Sequence, residues 1–499
     1  MTAKTRPGNV LFITLDQCVA SVLTGPLAPH VPTPNLDRLA ASGTLFEKHF
    51  TVTVPCGPAR ASLLTGLYAM NHRSIRNGTP LARHHATLAT EARKAGYEPL
   101  LFGYTDTSPD PTGMAPEDPD LSVYEGVAPG FREVVEMRME VGREWPAFLR
   151  KQGYDIHLRT DGWPSYYVPA GNGGPRDPAI FAAEHSDTAY LTDKTLESLD
   201  YWREFGPWFA HLTWIRPHPP LVAPAPYNRM IDPAGLPLPE RAAPDHPFVD
   251  AWFSRPVNRH LFHGHDGDNR GLSDAMTRDL IAVYLGLVAE VDHHLGRVLD
   301  WLEETGQADS TLIVATADHG EMLGDKFMWG KESVFEAAFH VPMIVRVPGQ
   351  AGGGRVSALT ESVDVAPTVL DWIGAEVPEA MDGRSLLPFT RGEAPEAWRD
   401  AVLLEADFGH PKDPTRFMEH MGLPLNASGV SMLRESRWKY VHFGGGVPPM
   451  LFDLESDPGE TVNLAGDPAY ADEVSRMARR LLDRMTERRD RRLTQHAFD

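Results

Sequence analysis

The chain has 499 residues, two cysteines and a formal net charge of −21, with 47 basic residues against 68 acidic ones. A field of that sign repels nucleic acid and anionic lipid, so neither is expected as a partner, and an anionic substrate has to be met by cations gathered locally. Hydrophobic residues make up 42% and charged residues 23%, the proportions of a soluble globular protein, and no apolar run reaches the length that crosses a bilayer.

Strand-like and helical runs then alternate along the chain. "NVLFITLD" at 9–16 is a short apolar run of the kind buried on both faces of a sheet. Helical patterns follow at 58–70 and 86–95, a second strand at 98–105 ("EPLLFGYT"), a helix at 185–204, and a third strand at 208–215 ("WFAHLTWI"). A long amphipathic helix at 275–304 precedes strands at 311–318 ("TLIVATAD") and 342–347 ("PMIVRV"). This alternation predicts a doubly wound α/β fold with a mixed, mostly parallel sheet. Residues 107–180 and 217–272, rich in Pro, Gly and Asp, read as long excursions from it. From about residue 396 the texture changes to alternating strands with turn signals and one terminal helix, whose many arginines read as a solvated face. Two regions are therefore expected: a catalytic α/β domain over 1–395, and a C-terminal subdomain over 396–499 with a small antiparallel sheet and a helix. The N-terminus, "MTAKTRPGNVLFITLDQ", carries no small-residue cleavage site, and two cysteines build no disulfide framework. A cytoplasmic protein is expected.

Chemistry concentrates at two strand ends. Ligands of doubly wound sheets bind beyond the carboxyl ends of the strands, where "FITLDQ" offers Asp16 and Gln17 and "IVATADHGE" offers Asp318 and His319. Two carboxylates, an amide oxygen and an imidazole suit one divalent cation. A third segment, "VTVPCGPARASLLTG", places Cys56 at or just before a helix N-terminus, with Pro58 in the first turn and Arg60 after it. Spacing alone leaves Cys56 open as a small buried hydrophobe or as a plain nucleophilic thiol.

The run Cys56-Gly57-Pro58-Ala59-Arg60 through Leu64-Thr65-Gly66 resembles the signature of type I sulfatases and of phosphonate monoester hydrolases, both of the alkaline phosphatase superfamily. "TPNLDRLAASGTLFEKHF", "TADHGEMLGD", "VPMIVRVPG", "SVDVAPTVLDWIG" and "LFDLESDPGETVNL" extend the likeness over nearly the whole chain. The resemblance implies that a formylglycine-generating enzyme oxidises Cys56 to formylglycine. Its hydrate attacks sulfur or phosphorus with one hydroxyl, and the other expels the covalently held anion. It also implies that Asp16, Gln17, Asp318, His319 and modified residue 56 hold one metal, Mn²⁺ favoured for the imidazole and Ca²⁺ the alternative. Arg60 would orient the diol, Lys331 ("MWGKESVFE") would stabilise the substrate anion, and His218 ("WIRPHPPLVAP") would protonate or hydrogen-bond the leaving group. Asn77 and Tyr104 would contact the substrate. Asp106 departs from both family patterns, which carry His or Thr there; it is expected to act as base in breakdown of the intermediate, kept ionised by Arg60 or the metal. The substrate is a small anionic ester: aryl sulfates first, with overlapping phosphonate monoester and phosphodiester hydrolysis. The alternatives are a dedicated phosphonate monoester hydrolase or phosphodiesterase and, further off, a two-metal phosphatase or phosphomutase. Because relatives are often multimeric, a homo-oligomer is expected.

Overall fold

The structure, a computed structural model, describes residues 8–140, 142–157, 165–171, 173–256, 267 and 269–490. The strands that matter for the site are β1 (Asn9–Leu15), β2 (Thr44–Phe46), β3 (Thr53–Val54), β4 (Pro99–Gly103), β5 (Arg132–Glu136), β6 (Phe209–Trp214), β7 (Thr311–Ala317), β8 (Met343–Arg346), β9 (Gly354–Val356), β10 (Ala401–Asp407), β11 (Gly429–Glu435), β12 (Trp438–Phe443) and β13 (Met450–Asp453). Eight of them form one mixed, mostly parallel sheet in the order β9-β2-β8-β7-β1-β6-β4-β5. Only β8 runs antiparallel to its neighbours.

β1, β6 and β7 are buried at every position, which is why they read as unbroken apolar runs. Parallel pairing puts their ends level: Leu15 lies opposite Trp214 on one side and Ala317 on the other. Asp16 and Asp318 therefore leave the sheet side by side. The helices used below are α1 (Cys56–Thr65), α2 (Asp187–Trp202), α3 (Asp274–Glu304) and α4 (Ala471–Glu487). Ser273 caps α3 by accepting from Met276 N–H. Tyr284 of α3 donates to the Gln17 carbonyl at 2.8 Å and accepts from Val19 N–H at 3.0 Å, fixing the turn after β1.

Three sheet strands lie outside the expected set. β2 and β9 are three residues long, too short to show a period. β5, "REVVE", is an edge strand with only its last two residues buried, so it reads as polar; it sits inside the 107–180 excursion.

The C-terminal segment forms the expected antiparallel run β13-β12-β11-β10, but its edge continues into β3 from the N-terminal region. β3 pairs in parallel with β10, Thr53 opposite Glu405 and Val54 opposite Ala406. The α4 arginines are not wholly solvated: Arg476 and Arg480 pair with Glu435 of the small sheet and with Asp400 just before it at 2.7 and 2.8 Å. Both are about one-third exposed, so the pairs dock the helix while adding only about 0–1 kcal/mol each. Met477 and Leu481 supply its buried face.

Candidate active site

Cys56 is the first residue of α1, directly after β3 and Pro55, and every residue of the helix is buried. Pro58 lies in the first turn, where its missing N–H has no intrahelical acceptor to lose. The Gly57 N–H donates to Asn77 Oδ1 at 2.9 Å, so Asn77 closes the helix start and keeps its amide hydrogens for other partners. A Cβ on residue 57 would stand 3.1 Å from both Asn77 Oδ1 and the Asp106 carbonyl, a tight fit between these loops that glycine avoids. Cys56 Sγ lies 3.1 Å from His319 Nε2.

Asp16, Cys56, Asp318 and His319 each present a ligand atom, all within 4.8 Å of one another, and all four residues are buried. His319 Nδ1 donates to the Gly320 carbonyl at 3.0 Å, leaving the Nε2 lone pair for the cluster. Burial pushes this imidazole down to about 4, so it is neutral. Burial, then the neighbouring Asp318, pushes the Asp16 carboxyl up to about 6. Burial works the same way on Asp318, but His319 and Arg60 outweigh it and hold that carboxyl below its usual range. Asp16 Oδ1 is buried without a hydrogen-bond partner. A lone acceptor in a dry cluster of two carboxylates and a neutral imidazole fits a divalent cation.

Gln17 is held in the left-handed region at φ 63°. Its N–H donates to Asp318 Oδ1 at 3.1 Å, its Nε2 donates to Glu321, and its Oε1 accepts from Lys331 Nζ at 2.8 Å. The amide oxygen expected as a metal ligand thus faces Lys331. Glu321 was missed in the sequence, although "DHGE" places it three residues after Asp318; it orients Gln17 and accepts from Leu323 N–H at 3.0 Å.

Arg60 is the electrostatic counterweight. Its Nε is 2.9 Å from Asp318 Oδ2, its Nη2 3.0 Å from Asp16 Oδ2, and its Nη1 donates to the Tyr104 carbonyl at 3.0 Å and to Thr213 Oγ1 at 2.7 Å. Thr213 is a second residue the sequence did not flag. The Tyr104 hydroxyl, expected to face substrate, donates to Asp16 instead. Asp106 sits at φ 48° with Oδ2 3.8 Å from Arg60 Nε. Burial raises its carboxyl well above the ordinary value, with Arg60 pulling the other way. Lys331 Nζ stands 2.7 Å from His218 Nε2. Burial opposes the Lys331 charge, but Cys56, Asp16 and Asp318 hold it in place. His218 is held neutral by burial and then by Lys331, and its Nδ1 donates to the Pro219 carbonyl. Its Nε2 therefore accepts from Lys331, and a proton leaving through His218 has to come from that ammonium. All the residues singled out in the sequence meet in this one network.

The chain was compared with known proteins. The sulfatase family model matches residues 8–375, and that of the N-sulphoglucosamine sulphohydrolase C-terminal region matches 324–487. The multifunctional alkaline phosphatase superfamily protein PehA of Trinickia caryophylli is 40% identical over 510 residues, covering 98% of this chain and 97% of its own. The structure of phosphonate monoester hydrolase SpPMH from Silicibacter pomeroyi superposes with a TM-score of 0.90 at 48% identity, over 97% of this chain and 96% of that one. An arylsulfatase of Clostridium perfringens is 24% identical over 505 residues, 97% of this chain and 95% of its own. With the family model spanning residues 8–375, this chain belongs to the sulfatase family.

Proposed function

We propose that the protein is a formylglycine-dependent, metal-assisted hydrolase of monoanionic esters, phosphonate monoesters foremost, with phosphodiesters and aryl sulfates taken by the same site. Cys56 Sγ lying 3.1 Å from His319 Nε2, within a buried set of two carboxylates, carries this reading. The sequence reading put aryl sulfates first. The phosphonate monoester hydrolase structure at 48% identity, against 24% for the arylsulfatase, supports phosphonate monoesters instead. The proposal includes Mn²⁺ as the ion, conversion of Cys56 by a formylglycine-generating enzyme, a cytoplasmic location and a homo-oligomeric state.

Asp16, Asp318 and His319 would hold the ion, joined by Gln17 if its Oε1 turns from Lys331, and the ion would withdraw charge from substrate oxygens and acidify the nucleophilic hydroxyl. Arg60 balances the two carboxylates and keeps them facing each other. Lys331 Nζ offers the substrate anion a positive charge, and its proton reaches the leaving oxygen directly or through His218 Nε2. Asn77 offers its amide hydrogens to a non-bridging oxygen. The carboxylates of Asp16 and Asp318 beside the reacting group favour one negative charge on the substrate over two.

A substrate panel tests this. The purified enzyme should hydrolyse phenylphosphonate monoesters fastest, then phosphodiesters and aryl sulfates, with phosphate monoesters last, and Cys56→Ala should abolish all four activities. Phosphate monoesters as the best substrates, or turnover surviving Cys56→Ala, would sink the reading.

A further inference from the structure

Behind His218 lies a buried charged cluster that none of the steps above uses. The segment after β6 runs Ile215-Arg216-Pro217-His218-Pro219-Pro220 and turns sharply back on itself. Arg216, 1% exposed, sits inside that turn. Its Nη1 donates to the His218 carbonyl at 3.0 Å and to the Pro220 carbonyl at 2.9 Å. One nitrogen thus grips the chain on both sides of Pro219, and the Pro219 carbonyl is the acceptor that holds His218 Nδ1–H. The position of the guanidinium fixes the carbonyl, the carbonyl fixes the tautomer, and the tautomer leaves Nε2 as the atom facing Lys331.

The guanidinium is itself held from α2. Asp187 Oδ2 lies 3.0 Å from Arg216 Nε and accepts from the Tyr167 hydroxyl at 3.0 Å, while the Tyr167 ring lies under the guanidinium with Cζ 4.6 Å from its centroid. Asp187 is the first residue of α2, where the positive end of the helix dipole favours its charge. Glu290 of α3 is fully buried in the same neighbourhood; burial, then Asp187, pushes it up to about 8, with Ser186 and Arg216 pulling the other way. Glu290 is therefore mostly protonated at neutral pH, and Arg216 and Asp187 stand as a one-to-one ion pair. Two carbonyls on Nη1, the carboxylate beside Nε and the ring give the arginine one orientation, as a planar guanidinium allows and an ammonium would not.

We propose that Asp187 and Tyr167 are positioning residues for proton delivery: acting through Arg216, they set the His218–Pro219–Pro220 turn so that His218 Nε2 stays aligned with Lys331. This rests on the role of the Lys331–His218 pair stated above. The pair matters most when the departing oxygen is basic, because an activated leaving group departs without a proton. Loosening the turn should cost turnover on poor leaving groups and spare good ones.

The experiment measures kcat and KM of the metal-loaded enzyme on phenyl and 4-nitrophenyl phenylphosphonate. Asp187→Asn keeps the shape and removes the charge. It should lower kcat about ten-fold on the phenyl ester and less than about two-fold on the 4-nitrophenyl ester, a fraction of a full general-acid contribution, with KM little changed. Equal losses on both esters would mean that the cluster only supports the fold, and no loss would mean that it supports nothing at the site; either overturns the inference. Should circular dichroism show that Asp187→Asn fails to fold, Tyr167→Phe, which removes one hydrogen bond to Asp187, should give the same split at about three-fold. A flat response from it overturns the inference as well. His218→Ala is the control for the underlying role. If it shows the split and Asp187→Asn does not, the positioning claim alone fails. If His218→Ala is itself insensitive to the leaving group, the proton-delivery role goes, and this inference with it.

Discussion

Arg60→Lys keeps the charge at the centre of the site and removes the fork. The arginine reaches four acceptors at 2.7 to 3.0 Å: Asp318, Asp16, the Tyr104 carbonyl and Thr213. A lysine Nζ on a shorter, single-headed chain keeps one carboxylate and abandons the other together with both neutral acceptors. One lost charged hydrogen bond at about 1.5–3 kcal/mol and two neutral ones at about 0.5–1.5 kcal/mol each give a destabilisation of about 2.5–6 kcal/mol. That is within the about 5–15 kcal/mol of a typical domain, so the variant should fold at 25 °C with a lower urea midpoint. Because the freed carboxylate swings away from its partner, turnover should fall about 100-fold, as for a misplacement on the order of 1 Å, and dialysed protein should retain less metal. Urea denaturation followed by tryptophan fluorescence, metal analysis after dialysis and steady-state kinetics read the three quantities. A loss below about 1 kcal/mol with turnover within a few-fold of the parent would refute the idea that the planar fork is what holds Asp16 and Asp318 together.

Mass spectrometry of the peptide spanning Cys56 should show loss of sulfur and two hydrogens and gain of one oxygen; a pure thiol with full turnover would remove formylglycine from the mechanism. Chelated enzyme should regain most activity with Mn²⁺, the imidazole of His319 favouring a first-row ion over an all-oxygen binder, and full recovery with Ca²⁺ alone would reverse that choice. In single-turnover kinetics on an activated aryl ester, Asp106→Asn should give a normal burst and then stall if a carboxyl is needed to break down the intermediate; an unchanged steady state makes Asp106 a loop residue. Burial, against the Met70 N–H that Glu405 accepts at 3.1 Å, raises the Glu405 carboxyl from 4.5 to about 7. A folded value above the unfolded one gives stability that is complete below about 4.5 and lost as pH rises through about 7, about 3 kcal/mol in all. The urea midpoint of Glu405→Gln should therefore gain on the parent between pH 5 and 8, and parallel pH curves for the two would contradict it.

The site was legible because its chemistry sits where the chain pattern is strongest. Asp16 and Asp318 each follow seven fully buried strand residues, so the apolar run that announces the strand also points at the ligand after it. Cys56 and Arg60 share one helix start and arrive as a single motif. What escaped is what sequence distance hides. Thr213 alternates with apolar neighbours on a buried strand and shows its purpose only beside Arg60. The Tyr104 hydroxyl reads as a donor to substrate until Asp16 is found next to it. The burial that raises the Asp106 carboxyl is a property of the packed fold, which sequence does not show. β5 was lost because an edge strand pairs on one side and needs little apolar surface.

The pairing of β3 with β10 also sets a clock on maturation. In the folded protein Cys56 is 4% exposed, in a helix buried along its whole length. The strand immediately before it is completed by a partner about 350 residues later in the chain, Thr53 meeting Glu405. At about 5–20 residues per second, synthesis takes roughly 20–70 s to deliver that partner. Any enzyme that oxidises the Cys56 side chain works on a nascent segment during this interval, before the last sheet closes over it. Slower translation of the region between β3 and β10 lengthens the window, and faster translation or early folding shortens it. If Cys56 is oxidised as proposed, the fraction of active protein is a matter of kinetics as well as of the presence of the modifying enzyme.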